Sequence, residues 1–525
     1  MKHLLSISIG PVQDFIAAAR RTADLYAGSQ ILQEVCRAAA SVIPKDGLIF
    51  PAGDKADPAD DKAIGANKIL AEVEGDPKAL AEGAKKAAQE KLEHLWKKTI
   101  ESLPESYQSQ IDQARAKEQL GSFLEFYAAW VPLNGDYPQA RQAVERLLAG
   151  RKALRDFAPT QQNDEGIPKS PLDPARATVL ELPRDTNGKP ILKVPDLFVK
   201  DLKLRFNHSE FLDAISLLKR LYGTQELLGK VPQTKTLARM AKDPLATNAE
   251  NIQEDLDDRQ QPLDFPYYAI LVADGDRMGE HLSKLKTKEK HQEFSKKLST
   301  FAQSVQGEIE RIVYEGKTPE KPHPYRFCVY SGGDDVLAFL PVNKAIACAK
   351  ELAKLFSKVG CTLSVGIAIV HYREPLSISL HNAREAEKAA KNKSGSKAEQ
   401  GNRLAVALHT RGGAPITVVR SWEELKDSKL DWDSLIQTYQ SKKVSRGLAY
   451  EFHKLAIEWP KEMESQYIEY LSAEARRILA RKELVELELP HFSNAKELET
   501  YANQLIIARF LSGVSDHNQP EVANA

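Results

Sequence analysis

Cysteine is scarce: Cys36, Cys328, Cys348 and Cys361 are the only four in 525 residues, and no C-x-x-C pair occurs. That spacing excludes a zinc ribbon and offers no disulfide framework, so reduced thiols are expected. Neither sign of charge is in excess, because 73 Lys and Arg balance 73 Asp and Glu. A formal net charge of +0 argues against a free-standing basic nucleic-acid binder, but not against RNA contact inside a larger particle. Long apolar runs are also missing, and none approaches the length of a membrane span. The opening MKHLLSISIGPVQ breaks at Pro11, too early for a signal peptide. These absences predict a soluble, cytoplasmic chain with no membrane partner. Its length predicts three or four units sharing large cores.

What is present alternates between strand and helix patterns. HLLSISIG reads as a strand, and DFIAAARRTADLYAGSQILQEVCRAAASVI as one long helix. GLIFPA, ANKILAEV and GSFLEFYAAWVPL read as further strands, with helices from about Pro77 to Leu103 and over YPQARQAVERLLAGRKALRDF. Between about 156 and 262 the pattern changes to a helix, SEFLDAISLLKRLYG, and an acidic linker, NAENIQEDLDDRQQP. A second α/β pattern follows. It runs through the strand YYAILVA, a helix from about Gly279 to Val313, the hairpin YRFCVYSGGDDVLAFLPV, a helix over 343–358, TLSVGIAIV, LHNAREAEKAAKN and a last strand, NRLAVALHT. From 416 to about 515 the chain reads as helical. Leu498, Tyr501, Ala502, Leu505 and Ile506 form a stripe expected to pack into a core, and the last residues read as a frayed tail.

The predicted fold class is α+β, with two ferredoxin-like palm domains of polymerase or cyclase type and two mainly helical domains. The expected boundaries are 1–155 for a first palm, 156–262 for a helical domain and linker, 263–415 for a second palm and 416–525 for a helical end.

The chemistry is concentrated in the second palm. In YSGGDDVLAF, Gly332-Gly333 between apolar runs is an ordinary hairpin signal, and Asp334 and Asp335 taken alone read as solvated turn residues. Upstream, in AILVADGDRMGEHL, Asp274 ends another strand and is followed by Gly275. A carboxylate at that strand end, beside the hairpin tip, would gather three acids at one sheet edge. Three packed carboxylates are costly unless cations neutralise them. Mg²⁺ or Mn²⁺ suits such oxygen donors, and two ions would serve a phosphoryl or nucleotidyl transfer. Gly332 and Gly333, lacking side chains, would let a triphosphate approach the backbone.

Five stretches carry a family resemblance: SIGPVQDFIAAARRTADLYAGS, PKSPLD at 168–173, YYAILVADGDRMG, YSGGDD and SVGIAIVHYREPL…AREAEKAAK. In their order from residue 6 to 391 the chain resembles the large subunit of type III CRISPR–Cas effector complexes, most of all the Cmr (subtype III-B) branch. The resemblance implies a cytoplasmic, prokaryotic antiviral subunit that joins ATP into cyclic oligoadenylates when guide RNA pairs with target RNA. It implies partner Cmr subunits as well, including the small helical one. By motif, Asp274, Asp334 and Asp335 would hold two ions, while Gly275, Ser331, Gly332 and Gly333 would line the nucleotide. Lys391 would sit near the triphosphate or be a solvated lysine on a charged helix, and Asp276 would brace the turn.

The first palm has SIGPVQ where the second has ADGDRM, so Gly10 and its neighbours would hold a nucleotide by shape and backbone, without metal. Its AARRT would reach phosphate or RNA, or simply face solvent. Many members of the family begin with a His-Asp nuclease domain. None of the 12 histidines here precedes an aspartate, so nuclease activity is not expected. The alternatives are a non-catalytic scaffold of the RNA-guided particle and a GGDEF-type dinucleotide cyclase.

Overall fold

The computed structural model describes all residues except 53–64, 155–165, 202, 205, 243–262, 317–324, 393–399, 461–466, 483–486 and 515–525. The acidic linker and the terminal tail therefore fall outside the described residues.

The first sheet takes β1 (Lys2–Gly10), β2 (Leu48–Phe50), β3 (Lys68–Glu74) and β4 (Glu125–Pro132) in the order β2-β3-β1-β4. All of its pairings are antiparallel. Around it lie α1 (Gln13–Ala17), α2 (Thr22–Ala40), α3 (Pro77–Glu101), α4 (Glu105–Gln108), α5 (Gln113–Gly121) and α6 (Tyr137–Ala153). The long N-terminal helix expected from the sequence is in fact two helices, because the chain leaves helical geometry at Ala18 (ψ 71°) and re-enters after an extended Arg21. Short helices α7 (Asp196–Lys200), α8 (Ala214–Glu226) and α9 (Thr234–Met240) form the segment between the palms.

The second sheet contains β5 (Tyr267–Gly275), β6 (Cys328–Gly332), β7 (Asp335–Leu340), β8 (Leu363–His371), β9 (Arg403–Leu408) and β10 (Ile416–Ser421). Its order is β10-β9-β8-β5-β7-β6. The helices that accompany it are α10 (Met278–Ser283), α11 (Lys288–Val313), α12 (Ala345–Ser357) and α13 (Leu376–Lys391). The helix expected from Gly279 to Val313 is interrupted before Thr287, whose side chain caps α11. The run β8-β5-β7-β6 repeats the order β4-β1-β3-β2 of the first sheet, and both are the βαββαβ arrangement of a ferredoxin-like palm.

Residues 416–421, expected to begin the helical end, instead form β10 antiparallel to β9. ITVVRS has the β-branched composition of a strand, but its neighbours Gly412-Gly413 and Pro415 made the sheet appear finished. The remaining end is helical: α14 (Trp432–Gln440), α15 (Leu448–Glu458), α16 (Ile468–Ala480) and α17 (Ala495–Ser512). The predicted stripe of Leu498, Tyr501, Ala502, Leu505 and Ile506 is buried in its core.

One continuous core runs through both palms and α8. Polar contacts fix the palms to each other. Tyr26 donates to the Phe327 carbonyl at 2.7 Å, Gln292 donates to the Leu48 carbonyl at 2.7 Å, and the Tyr137 hydroxyl lies 2.7 Å from His291 Nδ1. The two sheets are thereby held so that the end of β1 faces the end of β5 across a cleft.

Candidate active site

β5 pairs with β7 in antiparallel register through Ala273–Val336, so the next step brings Asp274 level with Asp335. Asp334 lies in the turn between β6 and β7, where Gly332 pairs with Asp335 and Gly333 takes a positive φ of 69°. That angle is the reason glycine stands at 333. Gly275 is needed for a different reason: a Cβ there would come within 2.8 Å of Asp334 Cβ. The outcome is a cluster in which Asp274, Asp334 and Asp335 each offer one oxygen, all within 4.8 Å of one another.

Crowding and burial perturb these acids. Burial, then the charge of Asp274, pushes the Asp334 carboxyl up to about 7. Burial, then Asp334 and Asp274, pushes Asp335 up to about 8. Lys391, the last residue of α13, donates to the Asp274 carboxylate and to the Gly275 carbonyl at 3.1 Å. Burial alone would lower its pKa, but the bond to Asp274 and that carboxylate's charge outweigh burial and raise it. The Lys391 side chain is only 13% exposed, so it is not the solvated lysine of the simpler sequence reading. One ammonium facing three carboxylates leaves negative charge uncompensated. The donors are all hard oxygens, and the set suits a divalent cation such as Mg²⁺ or Mn²⁺.

Asp276 lies apart from this cluster. Its carboxylate accepts from Thr362 Oγ1 at 2.8 Å, Ser364 Oγ at 2.6 Å and the Asn402 amide at 2.8 Å, which ties the β5 turn to β8 and β9. Ser331 is likewise turned inward, and its hydroxyl donates to the Ala302 carbonyl at 2.8 Å. A Cβ on Gly332 would strike the Tyr330 hydroxyl at 2.1 Å, so that glycine makes room for the Tyr330 ring.

Asp274, Asp335 and Lys391 line a cleft of about 1110 Å³ between the palms. The second palm also contributes Tyr330, Arg384 and Lys388, and the first palm contributes Ser8, Ile9, Val12, Gln13, Ile16, Asn67 and Lys152. Gly10 does not line it; the position where its Cβ would project is 3.4 Å from Glu125 Oε2. Each nine-residue first strand ends in glycine, Gly10 or Gly275, which sets Ile9 at the place that Asp274 holds in the second palm.

Arg384, Lys388 and Lys391 fall at helical spacing along one face of α13, a pattern visible in AREAEKAAK. Tyr330 and Lys152 carried no comparable signal. Lys152 belongs to a helix whose distance from the motifs only the fold removes.

A palm fold with three clustered carboxylates beside the Arg384/Lys388/Lys391 face of α13 is a candidate divalent-metal site. Comparison with known proteins narrows the class. Residues 267–399 match the family model for the second palm domain of Cas10/Cmr2, and residues 4–101 match that for the N-terminal part of the CRISPR-associated protein Cmr2. A curated relative, the CRISPR system Cmr subunit Cmr2 of Pyrococcus furiosus, is 32% identical over 194 residues. That match spans 30% of this chain and 20% of the relative.

Among solved structures, a type III-B Cmr-beta complex in its apo state contains a similar chain, with a TM-score of 0.64 at 13% identity, covering 98% of this chain and 82% of that one. A chain from a Csm1–Csm4 cassette in complex with cA4 aligns with a TM-score of 0.50 at 15% identity, covering 97% and 70%. At these identities the structural likeness shows the fold. The two family models and the curated relative support the Cmr large-subunit resemblance carried by the sequence motifs.

Proposed function

We propose that this chain is a nucleotidyltransferase that joins ATP through 3′–5′ bonds into cyclic oligoadenylates, acting as the large subunit of a type III-B Cmr effector complex. The observation that carries the reading is the Asp274/Asp334/Asp335 cluster, which opens onto the inter-palm cleft through Asp274 and Asp335. Structural neighbours add support: one is a Cmr-beta complex bound to cognate target RNA, and another is a Csm1–Csm4 cassette in complex with cA4. In this reading the partners are other Cmr subunits, guide RNA and a target RNA that switches synthesis on.

Nucleotidyl transfer requires an acceptor 3′-hydroxyl aligned with a donor α-phosphate, so two ATP molecules must lie side by side. A volume of about 1110 Å³ exceeds the usual range for one small ligand, about 300–1,000 Å³, and suits a pair. Asp274, Asp334 and Asp335 would hold two divalent ions, which would supply activation of the acceptor hydroxyl and neutralisation of charge on the leaving group. Arg384, Lys388 and Lys391 attract the donor triphosphate along one helix face. On the opposite wall the half-buried Val12 offers apolar surface to the acceptor base, with Gln13 and Asn67 as polar partners, backed by the buried Ile9 and Ile16. No carboxylate stands at Ile9, so the acceptor side binds without metal.

Equilibrium dialysis of the assembled complex with a non-hydrolysable ATP analogue tests this division. Two nucleotides per chain with Mg²⁺ and one without are expected. A single nucleotide under both conditions overturns the arrangement.

A further inference from the structure

Lys219, on α8, is 1% exposed, yet among the described residues its ammonium has no bonded carboxylate. It donates instead to the carbonyls of Phe15 and Ala18, both at 2.5 Å, and stands 4.8 Å from the centre of the Phe15 ring. Burying a cation on carbonyls alone is expensive. Burial brings its pKa down to about 8, and the charges of Asp24 and Asp213 oppose that fall.

The carbonyls it serves close α1, which is only five residues long. So short a helix does not hold itself, and its last carbonyls lack partners within the helix. An ammonium at that end supplies both hydrogen bonds and charge complementary to the helix dipole. The surroundings are shaped for this reach. On α2, a Cβ at Gly28 would sit 3.4 Å from Lys219 Cδ, so a larger residue would crowd the stem. The neighbouring Arg220 anchors α8 through Asp24 at 3.0 Å and Glu210 at 2.7 Å.

On its other side the start of α1 reaches the cleft, through Val12 just before it, the exposed Gln13 and the largely buried Ile16. We propose that Lys219 is a positioning residue that sets the first-palm wall of the cleft from the helical segment, and so governs how well the acceptor nucleotide is received. The proposal rests on the nucleotidyl-transfer reading for its kinetic consequence, but not for its structural one.

The test uses Lys219→Met in the full assembled complex. Hydrogen exchange at the amides of Ile16, Ala18 and Ala19 should quicken at least tenfold, while exchange in β5 and α13 stays unchanged. Mn²⁺ affinity at the acid cluster should stay within twofold, KM for ATP should rise at least fivefold, and kcat should change less. Lys219→Arg, which keeps a cationic donor, should recover part of the KM. If Lys219→Met does not fold, Lys219→Gln, which keeps one donor, carries the same measurements. Unchanged exchange in α1, or faster exchange with an unchanged KM, overturns the proposal. If the wild type makes no oligoadenylate, the functional reading fails, and the exchange arm still decides whether Lys219 holds α1.

Discussion

Replacing Asp334 and Asp335 together by Asn should stabilise the metal-free protein while removing its response to divalent ions. Both carboxyls are pushed up from 3.8: burial and then the charge of Asp274 take Asp334 to about 7, and burial and then the charges of Asp334 and Asp274 take Asp335 to about 8. Each pH step of that rise corresponds to ~1.4 kcal/mol. The two acids are coupled, so their contributions do not add, and the pair costs the folded protein on the order of 5 kcal/mol at about pH 8.

The sign follows from proton linkage. Between about pH 4 and 8 the folded state retains protons that the unfolded chain has released, so wild-type stability falls as pH rises through that window. An amide has no such equilibrium. Without divalent ions the double variant should therefore melt several degrees above wild type at pH 8 and show little advantage near pH 4.5. With Mg²⁺ at about a hundred times its dissociation constant the wild type should gain ~2.7 kcal/mol and the variant nothing. Calorimetry in the presence and absence of Mg²⁺ reads both effects. If the variant melts no higher than wild type at pH 8 without metal, or gains as much from Mg²⁺, the claim of an uncompensated acid cluster is wrong.

Three further outcomes are expected. Lys391→Met removes the ammonium that competes for the Asp274 carboxylate, so Mn²⁺ should bind several-fold more tightly by calorimetric titration while KM for ATP rises. His291, its pKa lowered to about 4 by burial and the nearby Arg141, faces the Tyr137 hydroxyl across the palm interface. The unfolded chain takes up the proton first, so stability is lost as pH falls from 6.5 towards 4, and urea titrations should find His291→Phe less acid-sensitive. At Gly366 on β8, a Cβ would lie 2.1 Å from the Glu387 amide nitrogen on α13. Gly366→Val should therefore cost about 3 kcal/mol in denaturant titration and weaken synthesis by shifting the helix that carries Lys391.

Much of this was legible in the sequence, for identifiable reasons. Both β strands ending in glycine and the GGDD hairpin are local signals, and the ferredoxin-like order follows from their alternation with helices. The break at Ala18–Arg21 was not legible, because AAARRT has helix-forming composition and the kink is held by distant groups. Arg21 bonds the Leu204 carbonyl, and Lys219 takes those of Phe15 and Ala18. Strand β10 was missed because its pairing with β9 depends on a turn the composition disguised. At the site, the three acids and the bracing role of Asp276 could be read from two motifs, but the inward turn of Ser331 depends on a partner at Ala302, and the partners of Asp276, Thr362 and Ser364, are likewise supplied only by the tertiary structure. At the first palm, the strand-end glycine motif points to Gly10, but pairing across the sheet sets Gly10 opposite Glu125 and leaves Ile9 at the cleft.

The most direct test of the central claim compares two assembled complexes, one with wild-type chain and one with Asp334→Asn/Asp335→Asn. Each is incubated with ATP, Mg²⁺ and guide-matched target RNA, and the products are identified by mass spectrometry. Wild type should yield cyclic oligoadenylate that depends on target RNA, and the variant, equally well assembled, should leave ATP unchanged. Unchanged ATP in the wild-type reaction, or equal product from both, would contradict the account.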